Sequence, residues 1–359
     1  MRDEGRRLPL VVLALGVVLA VGCSRVPAGS GARDGNDAPR QSVNRFAAGG
    51  STESCAYSAN DVDHLQAFER AIGTPIDCAV VFNNASPTWA ALEQPWFVVH
   101  ASPEFNWADW KAADPDRRLV ITQSLIPDEA PADWRARGAA GEYDAAAARL
   151  GHNLVAAGLG DSVIRLAHEA NGTWTKDGLG DDPVAYDDWR TYWGRFARAM
   201  RSVPDAHFVF DWTVNAGTRP IPLDAYYPGD DVVDIVGVDV YDFWDELALG
   251  PAPTDPATRW AVRYAEPGGT GSVVAFAKAH DKPLSIPEWG LSAVGHKGGA
   301  GDNPLFVDEI ARIVAHDDVA YQSYFQATTD VAMLLTDAPR SFAAYQQHFT
   351  HPTEEDHRP

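Results

Sequence analysis

Short apolar segments alternate with longer amphipathic ones along most of this chain, and that alternation constrains the fold more than any other feature. The apolar segments are rich in Val, Ile and aromatic residues and are bounded by Pro, Gly and Asp, as strands buried on both faces are. Candidate strands lie at 78–82, 96–100, 118–124, 162–168, 207–214, 232–241, 282–288 and 319–326. Candidate helices, with apolar residues recurring at steps of three and four, lie at 144–158, 185–200 and 302–317.

Strands that alternate with helices over about 275 residues match the size of a (β/α)8 barrel. A doubly wound sheet is the alternative, although it usually has fewer strands and a glycine-rich turn after the first one. The chain contains no GxGxxG pattern and no phosphate loop. We therefore predict an α/β protein whose single catalytic domain, a (β/α)8 TIM barrel, occupies residues 55–350.

The first residues have the organisation of an export signal. The charged lead MRDEGRR precedes an apolar run from Leu8 to Val21, which is too short to span a bilayer. The residues LAVGC resemble a bacterial lipoprotein cleavage box, which implies cleavage after residue 22 and lipidation of Cys23. We therefore expect residues 1–22 to be a signal peptide and the protein to be anchored on the outer face of a bacterial membrane. A secreted protein cleaved nearby is the alternative.

Residues 23–54 are polar, small and without apolar periodicity, so they are predicted to be a flexible tether, and residues 351–359 a polar tail. With Cys23 lipidated, Cys55 and Cys78 remain, and export favours a disulfide between them. Such a bridge would stabilise the fold by about 3 kcal/mol. Two free thiols are the alternative.

The charge balance restricts the partners. Lys and Arg number 29 against 50 Asp and Glu, which gives a formal net charge of −21. Binding to nucleic acid needs a basic surface, so no nucleic-acid partner is expected. We expect a monomer whose contact with a membrane is made through the lipid anchor alone.

Polar residues follow several predicted strands, and the carboxyl ends of the strands form the active site in barrels of this kind. The fourth strand ends in His168 and Glu169, and the seventh ends in Glu288. Because side chains alternate along a strand, Arg165 and Glu169 are predicted to point into the barrel. The same alternation places His168, with Ile164 and Leu166, on the face that packs against helices.

The two glutamates are predicted to face each other across the mouth of the barrel. A pair of carboxyl groups suits glycoside hydrolysis, in which one protonates the leaving oxygen while the other attacks the sugar or activates water. The alternative is that Glu169 and Glu288 are isolated partners of basic side chains. In the sixth strand, Asp239 and Tyr241 share the inward face, where burial is costly unless such groups are paired or functional.

The segments RLAHEANGTW, YYPGDDVVDIVGVDVYD and IPEWG resemble, in order and spacing, motifs of glycoside hydrolase family 26. The best-known members of that family are endo-β-mannanases. The segment GEYDAAAARLGHNLVAAG resembles the helix that precedes strand four in the family, and the likeness runs from about residue 75 to 345. The resemblance implies a retaining endo-β-glycanase that hydrolyses β-1,4-linked polysaccharide, with β-mannan as the leading substrate.

The resemblance also implies roles for single residues. Glu169 corresponds to the general acid/base and Glu288 to the nucleophile. His168, Tyr241 and Arg165 correspond to residues that support this pair. Asn171 and Trp174 are implied as substrate-binding residues.

Three further candidates for substrate binding come from their positions at strand ends, namely Trp212, Trp289 and His100. A structural role is the alternative for each of them. No histidine pattern with metal-ligand spacing is present, so we assign no metal and no cofactor.

The chain departs from the mannanase pattern in the predicted sugar cleft, at TKDGLGDDP (175–183) and SYFQ (323–326). These departures leave xylan, mixed-linkage glucan and other envelope glycans as alternative substrates. A carbohydrate-binding surface lipoprotein without catalysis is the alternative from another functional class.

Overall fold

The fold is a closed barrel of parallel strands that follow one another in sequence order, with β1 also paired to β8. The computed structural model describes residues 51–99, 102–217, 219, 221–329 and 332–350. The strands are β1 (Glu53–Tyr57), β2 (Cys78–Asn83), β3 (Arg118–Gln123), β4 (Val163–Leu166), β5 (Val209–Asn215), β6 (Ile235–Asp242), β7 (Leu284–Leu291) and β8 (Val319–Phe325). The predicted (β/α)8 TIM barrel is therefore confirmed.

Helices surround the barrel, and the three predicted from apolar periodicity are present as α6, α7 and α11. The helices are α1 (Val62–Ile72), α2 (Trp89–Glu93), α3 (Trp96–Val99), α4 (Trp107–Ala112), α5 (Trp134–Ala139), α6 (Asp144–Ala156), α7 (Tyr186–Arg201), α8 (Glu246–Leu249), α9 (Pro256–Ala265), α10 (Thr270–Ala279), α11 (Pro304–His316) and α12 (Pro339–Phe349). Within the described residues, no helix is long and apolar enough to cross a membrane. The predicted signal peptide, Cys23, His100 and the tail at 351–359 lie outside the described residues.

One predicted strand is wrong. Residues 96–99 form the helix α3, in which Phe97 is fully buried and the Trp96 Nε1–H donates to the Phe82 carbonyl at 3.1 Å. A short apolar run does not distinguish a strand from a buried helical turn. The barrel instead gains β1 from the sequence ESCAY, so it begins at Glu53, two residues inside the segment predicted to be tether.

The barrel interior has an apolar lower part near the amino ends of the strands. Cys55 and Cys78 lie there side by side in the register of β1 and β2 and form a disulfide. A single cluster fills this lower part, formed by Cys55, Cys78, Val80, Val120, Val163, Val209, Ile235, Ala320 and Tyr321. The larger apolar core lies between the barrel and the surrounding helices.

Strand β7 is irregular at the position that matters for the site. Ser285 and Glu288 both point into the barrel, where they contact Asp211 and Arg165 respectively. In a regular strand, residues three apart face opposite sides. The register with β8 shifts between Ile286 and Trp289, a stretch that contains Pro287, which has no amide hydrogen to donate to a ladder. The shift turns Glu288 inward.

Candidate active site

The backbone at the end of β4 changes direction abruptly. Regular strand geometry ends at Leu166, and Ala167 and Glu169 adopt left-handed conformations, with φ of 48° and 52°. Such conformations are uncommon and costly for residues other than glycine, and they cluster at functional sites. Backbone hydrogen bonds to the neighbouring strands hold the turn, since Ala167 N–H donates to the Gln123 carbonyl at 2.8 Å and Glu169 N–H to the Thr213 carbonyl at 3.0 Å.

This turn also places His168 differently from the prediction. The imidazole does not pack among the helices with Ile164 and Leu166. It meets the edge of Phe82, at 5.6 Å between ring centroids, at the mouth of the barrel. Alternation fails because the strand has already ended. Burial and the nearby Arg165 charge hold the pKa of His168 well below its usual value, so the ring is neutral.

Glu169 is buried and accepts a hydrogen bond on each oxygen. The Asn215 amide Nδ2–H donates to Oε1 at 2.5 Å, and the Trp174 Nε1–H donates to Oε2 at 2.6 Å. Burial raises the pKa of Glu169, and the negative charge of Glu288 raises it further, although the two donors oppose the shift. The arrangement favours a protonated carboxyl group.

Glu288 accepts hydrogen bonds from a cation and from a phenol. Arg165 Nη1–H donates to Oε1 at 2.5 Å, and the Tyr241 hydroxyl donates to Oε2 at 2.7 Å. Burial raises the pKa of Tyr241 well above its usual value, so the phenol keeps its proton and acts as a donor. The two contacts hold both oxygens of the Glu288 carboxyl group in place.

Arg165 is fully buried and organises the floor of the site. Its guanidinium also donates to Asp239 in a very short contact and to the hydroxyls of Thr122 and Thr213 at 3.2 and 3.1 Å. Burial alone would lower the pKa of Arg165, but the charges of Asp239 and Glu288 outweigh it and raise the pKa. Arg165 is therefore a permanent cation between two carboxyl groups.

The three acids of the site form a compact group, since one oxygen from each of Glu169, Asp239 and Glu288 lies within 4.8 Å of the others. Carboxylate oxygens at this spacing could ligate a cation. Because the Arg165 guanidinium is bonded to two of the three, a metal ion would have to displace it. We therefore assign no metal to this group.

The glutamates open into a cavity of about 710 Å³ at the carboxyl ends of the strands. Trp174 lines the cavity with about half of its surface exposed, as a platform for a sugar ring would be. The segment after β6 contributes five apolar residues to the lining, Phe243, Trp244, Leu247, Ala248 and Leu249.

The predictions that Trp212 and Trp289 bind substrate are wrong, because neither side chain reaches the cavity. Both are buried in the helix-facing core, where Trp212 packs against Tyr226 and Trp289 donates through Nε1 to Gln322 at 2.6 Å. The inward turn at Glu288 sends its neighbour Trp289 to the opposite face.

Asn171 also does not line the cavity. Its amide Nδ2–H donates to the Asn215 carbonyl at 2.9 Å, and its Oδ1 accepts from the Asn215 N–H at 3.0 Å. Asn171 thus holds the residue that binds Glu169. Asn215 itself was not among the predicted site residues, although its position at the end of β5 was a signal that could have found it.

Comparisons with known proteins agree with the geometry. The sequence pattern of glycosyl hydrolase family 26 matches residues 144–247, the segment from the start of α6 into α8 that carries Glu169 and Tyr241. No curated protein matches the chain significantly by sequence. Over residues 144–247, the match confirms the resemblance to family 26 and the enzyme class that it implies, a glycoside hydrolase, and the segment that contains Glu288 lies outside it.

Solved structures of similar shape include several from the same family. A modular endo-β-1,4-mannanase from Cellulomonas fimi has a TM-score of 0.58 at 16% identity, over 86% of this chain and 72% of that chain. A family 26 β-mannanase from Bacteroides ovatus has a TM-score of 0.57 at 14% identity, over 84% and 89%. The YdhT protein from Bacillus subtilis has a TM-score of 0.56 at 16% identity, over 84% and 86%. At this identity, the likeness shows the barrel fold.

Proposed function

We propose that this protein is a retaining endo-β-glycanase that hydrolyses β-1,4-linked polysaccharide, with β-mannan as the first substrate to test. The observation that carries the proposal is the pair of buried carboxyl groups in one cavity, with unlike hydrogen-bond partners. One oxygen of Glu169 lies within 4.8 Å of one oxygen of Glu288, a spacing that supports the retaining route, in which the carboxyl groups are about 5–5.5 Å apart.

In the first step, Glu169 acts as the general acid and Glu288 as the nucleophile. Glu169 gives its proton to the glycosidic oxygen while a Glu288 oxygen forms a bond to the anomeric carbon. The bond from that carbon to the leaving sugar breaks, and the sugar departs with a new hydroxyl group. The raised pKa of Glu169 supports this role, since it keeps the carboxyl group protonated at a higher pH than an exposed glutamate.

In the second step, water releases the glycosyl group from Glu288. Once Glu288 is an ester, it has lost the negative charge that raised the pKa of Glu169. Glu169 is then a better base and takes a proton from water as the water oxygen attacks the anomeric carbon. The ester bond breaks, Glu288 is ionised again, and Glu169 is protonated for the next cycle.

Arg165 and Tyr241 serve the nucleophile in this proposal. Their hydrogen bonds hold the Glu288 carboxylate in place and favour its charged form as attacking group and as leaving group. Trp174 serves both proton transfer and sugar binding in this proposal. Its indole N–H orients Glu169, and its exposed face is free to stack on a sugar.

We also propose export and anchoring through a lipid on Cys23, on the basis of the signal-like residues 1–22. The disulfide between Cys55 and Cys78 supports an oxidising compartment outside the cytoplasm. The test is fractionation of cells that produce the protein or its Cys23→Ser variant. The variant is expected to leave the membrane fraction, and unchanged fractionation would contradict the anchor.

The catalytic proposal is tested by release of reducing ends from mannan, glucomannan, xylan and mixed-linkage glucan. We expect activity on at least one glycan, and a loss of at least a thousandfold in Glu169→Gln and Glu288→Gln. Glu309→Gln is the matched control, since Glu309 lies on α11 and pairs with Arg312. Activity that survives Glu288→Gln would refute the assignment of the nucleophile, and sugar binding without turnover would favour the binding lipoprotein.

A further inference from the structure

The cavity extends past the two glutamates to a second ion pair. Arg263 and Glu266, at the end of α9 and just beyond it, line the same cavity as Glu169 and Glu288. Their side chains are 8% and 9% exposed, and Arg263 Nη1 lies 2.5 Å from Glu266 Oε1. A charged pair this far from solvent is costly unless it is well bonded or functional.

The surroundings hold this pair in one orientation. The Arg263 guanidinium lies over the ring of Phe243 at 4.6 Å, and its Nη2 reaches the Ala216 carbonyl at 3.5 Å. Gly217, with φ of 73°, lies directly against the pair, and a Cβ there would come within 2.2 Å of Glu266 Oε1. Both the backbone conformation and the space at residue 217 therefore favour glycine.

The pair also retains hydrogen-bonding capacity. Arg263 Nε is buried with no hydrogen-bond partner in the part of the chain that the structure describes. Among the hydrogen bonds of the described residues, Glu266 accepts one, through Oε1. Glu266 lines the cavity, so its second carboxylate oxygen is available to a polar occupant, whereas the Arg263 Nε is closed to solvent.

We propose that Arg263 and Glu266 form a subsite for a neutral sugar residue next to the one held between the catalytic glutamates. Arg263 donates to one ring hydroxyl and Glu266 accepts from a neighbouring one. The subsite is close to the catalytic glutamates along the backbone. Gly217, which lies against the ion pair, is two residues after Asn215, which binds Glu169. Consecutive Cα atoms are 3.8 Å apart, so Gly217 is at most about 7.6 Å from Asn215. The subsite rests on the proposed function for its class of ligand.

The charges around the pair select hydroxyl groups over carboxylates. Glu266 already neutralises Arg263, and of the other charged residues on this side of the cavity the two acids, Asp245 and Glu246, outnumber the one cation, Lys297. A uronic acid at this place would add to this excess of negative charge, which is unfavourable in a partly desolvated cleft. Neutral hexose or pentose units carry no such penalty.

The experiment measures binding of β-1,4-linked oligosaccharides of mannose, glucose and xylose by isothermal titration calorimetry. Glu288→Gln is the background, so that no turnover occurs. For the sugar that binds, Glu266→Gln is expected to weaken the hexaose by about tenfold, the effect of losing one hydrogen bond to a charged group, and to leave the disaccharide unchanged.

Two further variants make the result decisive. Glu266→Gln alone leaves a buried cation without its partner, which can destabilise the fold. The double variant Arg263→Met with Glu266→Met avoids this, because it replaces both charged side chains by apolar ones of similar length. This double variant is expected to lose the same affinity for the hexaose. Arg259→Lys is the matched control, because Arg259 is a buried arginine of the same helix that pairs with Asp242 and does not line the cavity. The control should bind like the background protein.

The outcomes separate this proposal from the proposed function. Equal affinities for the hexaose in all variants would overturn the subsite, and so would binding of none of the three sugars. Length-dependent loss of binding, together with no hydrolysis by the unsubstituted protein, would leave the subsite standing and refute the catalytic proposal. Hydrolysis by the unsubstituted protein, with no effect of Glu266→Gln on binding, would refute the subsite and leave the catalytic proposal standing.

Discussion

Glu169 and Glu288 carry the same carboxyl group but accept hydrogen bonds from different kinds of donor. Glu169 is held by a neutral amide and an indole, whereas Glu288 is held by a guanidinium and a phenol. A hydrogen bond in which the donor is charged is roughly twice as strong as one between neutral groups. At the scale of single residues, the site therefore fixes Glu288 through a cation, while burial raises the pKa of Glu169 and favours a proton there.

The pH dependence of activity follows from the bond between Asn215 and Glu169. This bond lowers the pKa of Glu169, against the larger effect of burial, so its loss in Asn215→Ala raises that pKa further. The general acid must be protonated, and activity falls as pH rises through its pKa. We expect the alkaline limb of the kcat/KM profile to move to higher pH in Asn215→Ala.

Asn153→Ala is the control for this prediction, because Asn153 makes a similar bond to the Glu93 carbonyl far from the cavity. Its profile should match that of the unsubstituted protein. An alkaline limb that stays in place, or moves to lower pH, in Asn215→Ala would show that Glu169 is not the group that limits activity there.

Some residues of the site could be predicted from the sequence because they end strands. Others were missed because their direction or role depends on contacts between distant parts of the chain. The positions of Glu169, Tyr241 and Glu288 follow from strand ends. The inward direction of Glu288 and the outward direction of Trp289 depend on one register shift, which pairing with β8 produces. Trp212 alternates with the inward Asp211 and Thr213, so the pattern of β5 could have placed it on the helix-facing side. The role of Asn171 depends on a contact with Asn215, 44 residues away in sequence.

At the scale of elements, the loop that follows β4 does the most to shape the cleft. It carries Glu169 in a left-handed conformation and returns Trp174 to bond with it. Gly172 makes this return possible, because a Cβ at that position would lie 2.6 Å from the indole. The loop and the glutamate are therefore one unit.

Gly172→Ala tests this unit. The added methyl group must displace the indole, which removes its hydrogen bond to the protonated Glu169, worth about 0.5–1.5 kcal/mol, and moves the exposed ring face. We expect kcat/KM to fall by about tenfold while the melting temperature changes little, because Trp174 is half exposed. Steady-state kinetics and calorimetry measure the two effects.

Gly194→Ala is the matched control, since Gly194 lies within α7 and its added Cβ would meet the flexible end of Arg198 at 3.2 Å. Alanine also favours a helix over glycine. The control should keep its activity. Full activity in Gly172→Ala would show that the indole does not need its present position.

Elements were predicted well where periodicity extends over many residues, as in α6, α7 and α11, and poorly where it does not. Five residues of ESCAY and four of WFVV carry too little pattern to separate a strand from a helix. Their assignment is decided by long-range contacts, such as the pairing of β1 with β8 across the whole chain.

At the scale of the whole molecule, the barrel separates stability from activity. The amino-terminal part of its interior holds an apolar cluster and the disulfide, and the carboxyl-terminal part holds the charged site. The place of the site at the carboxyl ends was predicted from the fold class, which the alternation of segments already indicated.

Removal of the disulfide should therefore affect folding alone. The bridge spans 23 residues, so Cys55→Ala with Cys78→Ala is expected to lower the free energy of unfolding by about 3 kcal/mol. Urea denaturation measures this loss, and kcat at 25 °C should not change. A large loss of kcat in folded protein would show that the two ends of the barrel are coupled.

The parallel arrangement of the strands has a consequence for how the enzyme can be held. Glu53 begins β1 at the rim opposite the cleft, and the Gln346 side chain near the end of α12 reaches the Ile72 carbonyl at the end of α1. Helices in this fold return toward the start of the strands. An attachment made through the residues before Glu53, whether to a lipid, a fused partner or a resin, therefore holds the protein by the end of the barrel opposite the cleft. The cavity that holds Glu169 and Glu288 then faces away from the support.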